Sequence, residues 1–262
     1  MKDLIQGLRE FRDSYFCSNF ELFEQLAHGQ TPKVLFITCS DSRVDPNLIT
    51  QAQPGDLFVV RNAGNIIPPY GAANGGEGAA IEYAINALGI EQVIVCGHSH
   101  CGAMKGLLKL ESLEASMPLV HNWLKHAEAT RRLVKDHYSS YEGEELIEVA
   151  IAENVLTQLE NLKTYPIVHS RIYQGKLRLY GWIYNIEMGE VLEYNVDQHA
   201  FVPIQHTATP AEMSIKLPPI QINKSPVTCP IPEPDAFPLT WLSPEQEERI
   251  YRGSAASNGS RR

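Results

Sequence analysis

Three short apolar runs restrict the fold of this chain more than any other feature of its 262 residues. They read VLFI at 34–37, LFVV at 57–60 and VIVC at 93–96. The runs are rich in β-branched residues and do not alternate apolar with polar positions, which is typical of parallel strands covered on both faces. Segments with the helical spacing of apolar residues lie between and after them, at 76–89, 117–134 and 144–162. The pattern predicts an α/β fold with a mainly parallel central sheet flanked by helices.

The two ends of this core have their own patterns. Apolar side chains recur at helical spacing on both sides of a break at CSN; they are Leu4, Leu8, Phe11, Tyr15, Phe20, Phe23 and Leu26. This spacing predicts two N-terminal helices that pack on another surface through one face. Near the other end, segments 176–185 and 190–196 are joined by a short link that contains Gly189, which predicts a C-terminal hairpin.

Proline usage changes at Pro203. Residues 203–262 contain 10 of the 17 prolines and have little hydrophobic periodicity, so we expect them to form no packed core of their own. Three parts of the chain are therefore predicted: an N-terminal helical arm over 1–30, an α/β domain over 31–202 and a Pro-rich C-terminal extension over 203–262.

The net charge of the chain excludes one class of partner. At −9, the formal charge leaves no excess of Lys and Arg for contacts to phosphates, so we expect no nucleic-acid binding. No apolar stretch approaches the length of a membrane span, and the N-terminus MKDLIQGLREF lacks the apolar core of a secretory signal. These features predict a cytoplasmic protein without a membrane span.

Two of the predicted strands end in residues that can bind a metal. The sequence TCSDSR follows the first run, and GHSHCG follows the third. Because functional groups of parallel sheets gather at the carboxyl ends of the strands, we expect Cys39, His98 and Cys101 to meet. Two thiolates and an imidazole suit zinc, and three protein ligands leave a fourth position open, as in catalytic zinc sites.

Two other uses of these residues stay open at this point. A structural zinc site would need a fourth ligand, for which Cys96 and His100 are the candidates. Cys96 falls inside the apolar run, where a cysteine commonly acts as a small hydrophobic residue, and His100 would crowd the turn. A redox dithiol is the third alternative, although the chain has no C-x-x-C motif.

Asp41 and Arg43 follow the first ligand closely enough to act beside it. A carboxylate two residues after a zinc ligand can accept a hydrogen bond from water at the metal. Arg43 can hold Asp41 in a bidentate pair, which keeps the carboxylate ionised and turned away from the metal. Without the neighbouring ligand, DSR would indicate only a turn with an ordinary ion pair.

The motifs CSDSR and HxxCG, with QPGDLFVVRNAGN between them and GAAIEYA before the second, resemble those of the β-class carbonic anhydrases over about residues 1–200. The resemblance implies reversible hydration of carbon dioxide to bicarbonate and a proton. It implies one zinc per subunit on Cys39, His98 and Cys101, with Asp41 and Arg43 as the catalytic pair. The residues that match the substrate pocket of the family are Gln30, Phe58, Ala63, Tyr83 and Gly102. Ala63 stands where plant members have valine.

The resemblance also implies an assembly. Family members form dimers, or larger oligomers built from dimers, whose pockets lie at the subunit interface and whose N-terminal helices embrace the partner subunit. The apolar face of the predicted arm fits this role. Two alternatives on the same scaffold are a zinc hydrolase and a binding module with a purely structural zinc.

The extension resembles that of the cyanobacterial carboxysomal enzymes, which supply carbon dioxide to Rubisco inside a protein shell. The resemblance implies a carboxysomal location and recruitment by a shell scaffold protein; the alternative is a general cytosolic carbonic anhydrase. Apolar anchors near the end of the extension are the predicted partner-binding residues, namely Phe237, Trp241, Leu242, Ile250 and Tyr251. Another possibility is that the extension packs on its own oligomer.

Overall fold

A computed structural model describes residues 1–73 and 75–204 of the chain. These residues divide into two compact units, the first formed by residues 1–28 and the second beginning at Gly29. The residues predicted to bind a partner through the extension lie between Phe237 and Tyr251, outside the described part of the chain.

The first unit contains the two predicted helices. Helix α1 spans Lys2–Glu10 and continues as a π-helical turn over Phe11–Phe16, and helix α2 spans Phe20–Ala27. The rings of Phe16 and Phe23 lie 4.8 Å apart between centroids, so aromatic packing joins the two helices. The prediction of a helical arm with a break near CSN is confirmed.

Within residues 29–73 and 75–204, the second unit is built on one six-stranded sheet. Its strands are β1 (Val34–Cys39), β2 (Leu57–Asn62), β3 (Gln92–His98), β4 (Arg178–Asn185), β5 (Glu190–Asn195) and β6 (Ala200–Pro203). The order across the sheet is β2-β1-β3-β4-β5-β6. The first four are parallel neighbours, whereas β5 and β6 are antiparallel. The predicted α/β class with a mainly parallel sheet is confirmed.

The absence of alternation in the central strands has a direct structural cause. Successive side chains of a strand point to opposite faces, and both faces are buried here. On one face Leu35 and Val93 belong to the main core. On the other face Phe36, Ile94 and Cys96 form a second, smaller cluster. Strand β2 is different because it lies at the sheet edge, where its side chains are mostly half-buried.

In the described residues of the second unit, seven α-helices surround or connect these strands. They are α3 (Pro46–Thr50), α4 (Gly76–Glu82, continued by a π-helical turn over Tyr83–Ala87), α5 (Gly102–Leu108), α6 (Pro118–Leu124), α7 (Glu128–His137), α8 (Gly143–Lys163) and α9 (Pro166–Tyr173). Helix α8 is the longest and packs on β3 and β4. Over residues 1–73 and 75–204, no helix has both the length and the apolar character needed to cross a membrane.

The predicted hairpin is present, and the sheet extends one strand beyond it. Strands β4 and β5 pair antiparallel, with Trp182 opposite Glu193. Strand β6 then pairs with β5, which the sequence analysis missed. The reason is its length: four residues ending at Pro203 are too few to show an alternating pattern.

Candidate metal centre

The three predicted zinc ligands lie at one edge of the sheet. Cys39 is the last residue of β1 and His98 is the last residue of β3. These strands are parallel neighbours, with Thr38 opposite Cys96, so their carboxyl ends lie side by side. Cys101 precedes the first residue of α5 and is its N-cap. A separation of 59 residues in sequence thus becomes contact in space.

The ligand atoms of Cys39, His98 and Cys101 all lie within 4.8 Å of one another. All three residues are at most 5% exposed. The His98 Nδ1 atom bonds the Ser99 carbonyl oxygen at 3.0 Å, which requires Nδ1 to carry the proton and leaves a lone pair on Nε2. Nε2 is buried and has no hydrogen-bond partner in the described part of the chain. An unpaired imidazole lone pair within 4.8 Å of two sulfurs fits a bound zinc ion.

The pKa shifts of the two thiols also indicate a site that binds a cation. Their mutual hydrogen bond lowers the pKa of Cys39 and raises the pKa of Cys101. The Gly64 N–H, 3.4 Å from Cys39 Sγ, also stabilises the Cys39 thiolate. A second thiolate beside the first is unfavourable in a buried site unless a cation neutralises both. The donor set therefore suits a divalent ion.

Asp41 and Arg43 form the predicted ion pair beside this centre. Arg43 Nε donates to Asp41 Oδ1 at 2.9 Å, and Nη2 donates to Oδ2 at 2.8 Å. These bonds hold the pKa of the Asp41 carboxyl well below its usual range. The Oδ2 atom lies 3.8 Å from His98 Nε2. The carboxylate is thus ionised, turned toward Arg43, and close to the candidate metal ligand His98.

Backbone contacts that the sequence analysis missed hold this pair in place. Arg61 donates to the carbonyls of Cys39 at 3.0 Å and of Asp41 at 2.7 Å. Arg43 Nη2 also donates to the His100 carbonyl at 3.2 Å. The arginine at the end of an otherwise apolar strand run is the signal that could have identified Arg61, because a charged residue there needs a local partner.

His100 and Cys96, the candidates for a fourth ligand, are both used elsewhere. The His100 ring lies between Glu144 and Glu187, at 3.2 and 3.1 Å. Cys96 is buried in the cluster on the opposite face of the sheet from the main core, and burial raises its pKa to about 12. In residues 1–73 and 75–204, the only group of three or more metal-binding side chains is Cys39, His98 and Cys101.

The structure brings some of the predicted pocket residues together. The rings of Phe58 and Tyr83 lie 6.0 Å apart between centroids. Gly102 begins α5 directly after Cys101. The Ala63 carbonyl accepts a hydrogen bond from Trp123 Nε1 at 2.8 Å. Gln30 is exposed in the single chain.

Comparison with known proteins identifies the family. A carbonic anhydrase family profile matches residues 34–191. A carbonic anhydrase from Synechocystis sp. is 59% identical, over 97% of this chain and 100% of that protein. One from Pseudomonas aeruginosa is 46% identical, over 73% of this chain and 86% of that protein. A solved structure of the β-carbonic anhydrase CcaA covers 78% of this chain and 98% of its own, with 70% identity and a TM-score of 0.77.

The chain therefore belongs to the carbonic anhydrases, in their β class. It is a lyase that interconverts carbon dioxide with bicarbonate and a proton, and its cofactor is zinc. When bound, zinc supplies the Lewis acidity that lets a water molecule lose its proton near neutral pH. A zinc hydrolase or a purely structural zinc module has no support among these relatives.

Proposed function

We propose that Cys39, His98 and Cys101 are the zinc ligands of this carbonic anhydrase and that Asp41 and Arg43 are its catalytic pair. The observation that carries the proposal is the buried Nε2 atom of His98, which has no hydrogen-bond partner in the described part of the chain and lies within 4.8 Å of two cysteine sulfurs and 3.8 Å from an ionised carboxylate.

The roles of the pair follow from their contacts. Arg43 keeps Asp41 ionised through two hydrogen bonds, so the carboxylate accepts a hydrogen bond from the attacking water and does not donate one. That bond fixes the direction of the water lone pair toward the carbon of carbon dioxide. The proton that the water loses passes to buffer.

The proposed pocket suits an uncharged linear substrate. Phe58 and Tyr83 provide an aromatic wall, and Ala63 and Gly102 add little bulk. Gln30 would donate from its side-chain amide to an oxygen of carbon dioxide. Tyr83 is 49% exposed in the single chain, which supports completion of the pocket by a second subunit.

We also propose that the enzyme is a homodimer or a larger oligomer built from dimers. The support comes from helix α1, whose apolar side chains Leu4 and Leu8 are exposed in the single chain. An apolar helix face of this kind is stable in water when another surface covers it.

Replacing Asp41 by Asn tests the role of the carboxylate. We expect the Asp41→Asn variant to keep its zinc and to hydrate carbon dioxide roughly 10- to 100-fold more slowly, because a group that orients a metal site is lost while the ligands remain. Stopped-flow hydration and metal analysis of the same sample measure both properties. Asp136→Asn is the matched control, since Asp136 pairs with Arg132 on an exposed helix surface. An Asp41→Asn enzyme as fast as the control would contradict the role.

For the extension, we propose recruitment to carboxysomes through a shell scaffold protein, where the enzyme supplies carbon dioxide to Rubisco. The support is the length of the matches: the Synechocystis relative matches 97% of this chain, whereas the Pseudomonas relative matches 73%. A stretch shared with a cyanobacterial relative but absent from the other match fits a role that only the cyanobacterial enzymes need. The proposed anchors are Phe237, Trp241, Leu242, Ile250 and Tyr251.

Removal of the extension separates recruitment from catalysis. The cut belongs after Ile204, because β6 ends at Pro203 and the Ile204 N–H still donates to the Val191 carbonyl. We expect the truncated enzyme to hydrate carbon dioxide within about twofold of the full chain, since β6 and the metal centre stay intact. In a carboxysome-forming cyanobacterium it should appear in the cytosol and not in purified carboxysomes.

A single substitution makes the same test without truncation. Trp241→Ala should weaken capture of the shell scaffold, because large aromatic anchors dominate the binding energy of peptide segments. Tyr173→Ala is the control, since Tyr173 is 89% exposed and lies outside the extension.

Truncated enzyme that still purifies with carboxysomes would defeat the recruitment proposal. Truncated enzyme that loses its oligomeric state would show that the extension packs on its own oligomer.

A further inference from the structure

Helix α8 carries polar side chains into the core. Asn154 and Gln158 are 1% and 0% exposed. Together with the partly buried Asn161 they occupy positions i, i+4 and i+7 of the helix, which places them on one face. We call these three residues the α8 amide row. Buried amides cost free energy unless they are hydrogen-bonded, so their partners indicate why they are there.

The α8 amide row binds the backbone that follows β2. Asn154 Nδ2 donates to the Gly64 carbonyl at 2.9 Å. Gln158 Oε1 accepts from the Ile67 N–H at 2.8 Å, and Asn161 Nδ2 donates to the Ile67 carbonyl at 2.9 Å. Gln158 Nε2 also donates to Asn154 Oδ1 at 2.9 Å, which fixes the orientation of the Asn154 amide. The row therefore holds both ends of the segment 64–67.

Gly64 connects this row to the metal centre. Its carbonyl binds Asn154, and its own N–H donates to Cys39 Sγ at 3.4 Å. The residue has a φ of +81°, and a Cβ atom there would lie 3.0 Å from both Ala103 Cβ and Met104 Cε. The left-handed φ and the close packing both favour glycine at this position, and the Asn154 amide holds the Gly64 carbonyl from the core side.

We propose that Asn154 is a positioning residue of the zinc site: it holds Gly64 so that the Gly64 N–H points at the Cys39 sulfur. An N–H to sulfur hydrogen bond draws charge from a thiolate and restricts its orientation, and partners of this kind tune metal affinity. The inference rests on Cys39 being a zinc ligand, as proposed above. Under this proposal two sets of contacts support the metal site. Asn154 and Gly64 act from the interior of the domain, and the Asp41–Arg43 pair acts from the more exposed side.

Two variants of Asn154 test the inference against a matched control. Asn154→Leu keeps the branched shape of the side chain and removes its hydrogen bonds, and Asn154→Ala removes the side chain. Asn161→Ala is the control, because it removes one bond of the same row to the Ile67 carbonyl and one to Gln158 Oε1, and Asn161 makes no bond to Gly64. We expect zinc release to a competing chelator to accelerate by roughly 10- to 100-fold in the Asn154 variants and within about twofold in the control.

The absorption spectrum of the cobalt-substituted enzyme gives a second measurement, one that a change in protein stability alone would not alter. Without Asn154, the Gly64 N–H should no longer be held toward the Cys39 sulfur, and that hydrogen bond should weaken. More negative charge then stays on the sulfur, so the sulfur-to-cobalt charge-transfer band should shift to lower energy in the Asn154 variants. The band should keep its wild-type energy in Asn161→Ala, even if that variant melts at a temperature similar to that of the Asn154 variants. In the wild-type enzyme loaded with cadmium-113, a scalar coupling between the metal and the Gly64 amide proton should be detectable; this measurement needs no variant to fold.

The outcomes separate the inference from the proposal on which it rests. If Cys39→Ser retains zinc, the ligand assignment is wrong and the inference fails with it. If Cys39→Ser loses zinc but the Asn154 variants behave like Asn161→Ala, the positioning role alone is wrong. Absence of the cadmium coupling at Gly64 would likewise overturn the inference.

Discussion

Cys39→Ser, His98→Asn and Cys101→Ser variants should each lose bound zinc and carbon dioxide hydration together. The three side chains are the proposed zinc donors, and their ligand atoms lie within 4.8 Å of one another. Three protein ligands are the usual minimum for a retained tetrahedral zinc, so removing one should weaken zinc binding by orders of magnitude. We expect hydration to fall to the background rate of the buffer.

Metal analysis and stopped-flow hydration of each purified variant measure the two losses. Cys96→Ala is the matched control, because Cys96 is a buried cysteine of β3 that lies in the smaller cluster, on the opposite face of the sheet from the main core that contains Cys39 and Cys101. The control should keep one zinc per chain and wild-type activity. A ligand variant with stoichiometric zinc and full activity would remove that residue from the site.

An Arg43→Ala enzyme should be nearly inactive although it retains its metal. Arg43 holds Asp41 through both carboxylate oxygens, and Asp41 Oδ2 lies only 3.8 Å from His98 Nε2. Once released, the carboxylate could compete with water for the metal, because it lies beside the proposed ligand His98. We expect a loss of roughly 100- to 1,000-fold in the hydration rate, comparable to the loss of one positioned hydrogen-bond donor in the active sites of other enzymes.

Cobalt substitution shows which group occupies the open position. The absorption spectrum of cobalt-loaded Arg43→Ala should report a carboxylate in place of water. The double variant Arg43→Ala with Asp41→Asn should return to a water-type spectrum, because the carboxamide is a weaker ligand. If the spectrum of the single variant matches that of the wild type, capture of the metal by Asp41 is ruled out.

Much of the metal centre was predictable because its residues follow two strong local signals. The apolar runs that end at Cys39 and His98 define parallel strands, and the carboxyl ends of neighbouring parallel strands meet at one edge. That rule placed His98 beside Cys39 across 59 residues. The sequence spacing of Asp41 and Arg43 likewise allowed the bidentate pair that the structure contains.

The supporting contacts were harder to predict because they depend on backbone geometry. Arg43 donates a hydrogen bond to the carbonyl of His100, which has a left-handed φ of +55°. No local sequence pattern predicts this backbone conformation for a histidine. The α8 amide row did leave a signal, since Asn154, Gln158 and Asn161 share a helix face with core residues. The role of the row could be assigned only once the structure showed that segment 64–67 lies against that helix face. The pocket residues were identified through the family resemblance and not through local chemistry.

The most direct test of the central claim is a zinc titration of the metal-free enzyme followed by stopped-flow hydration of carbon dioxide. The central claim is that one zinc on Cys39, His98 and Cys101 is responsible for the activity. It predicts a rate that starts at the buffer background, rises linearly with added zinc and stops rising at one zinc per chain. Hydration by the metal-free enzyme, or a rate that saturates at another stoichiometry, would contradict it.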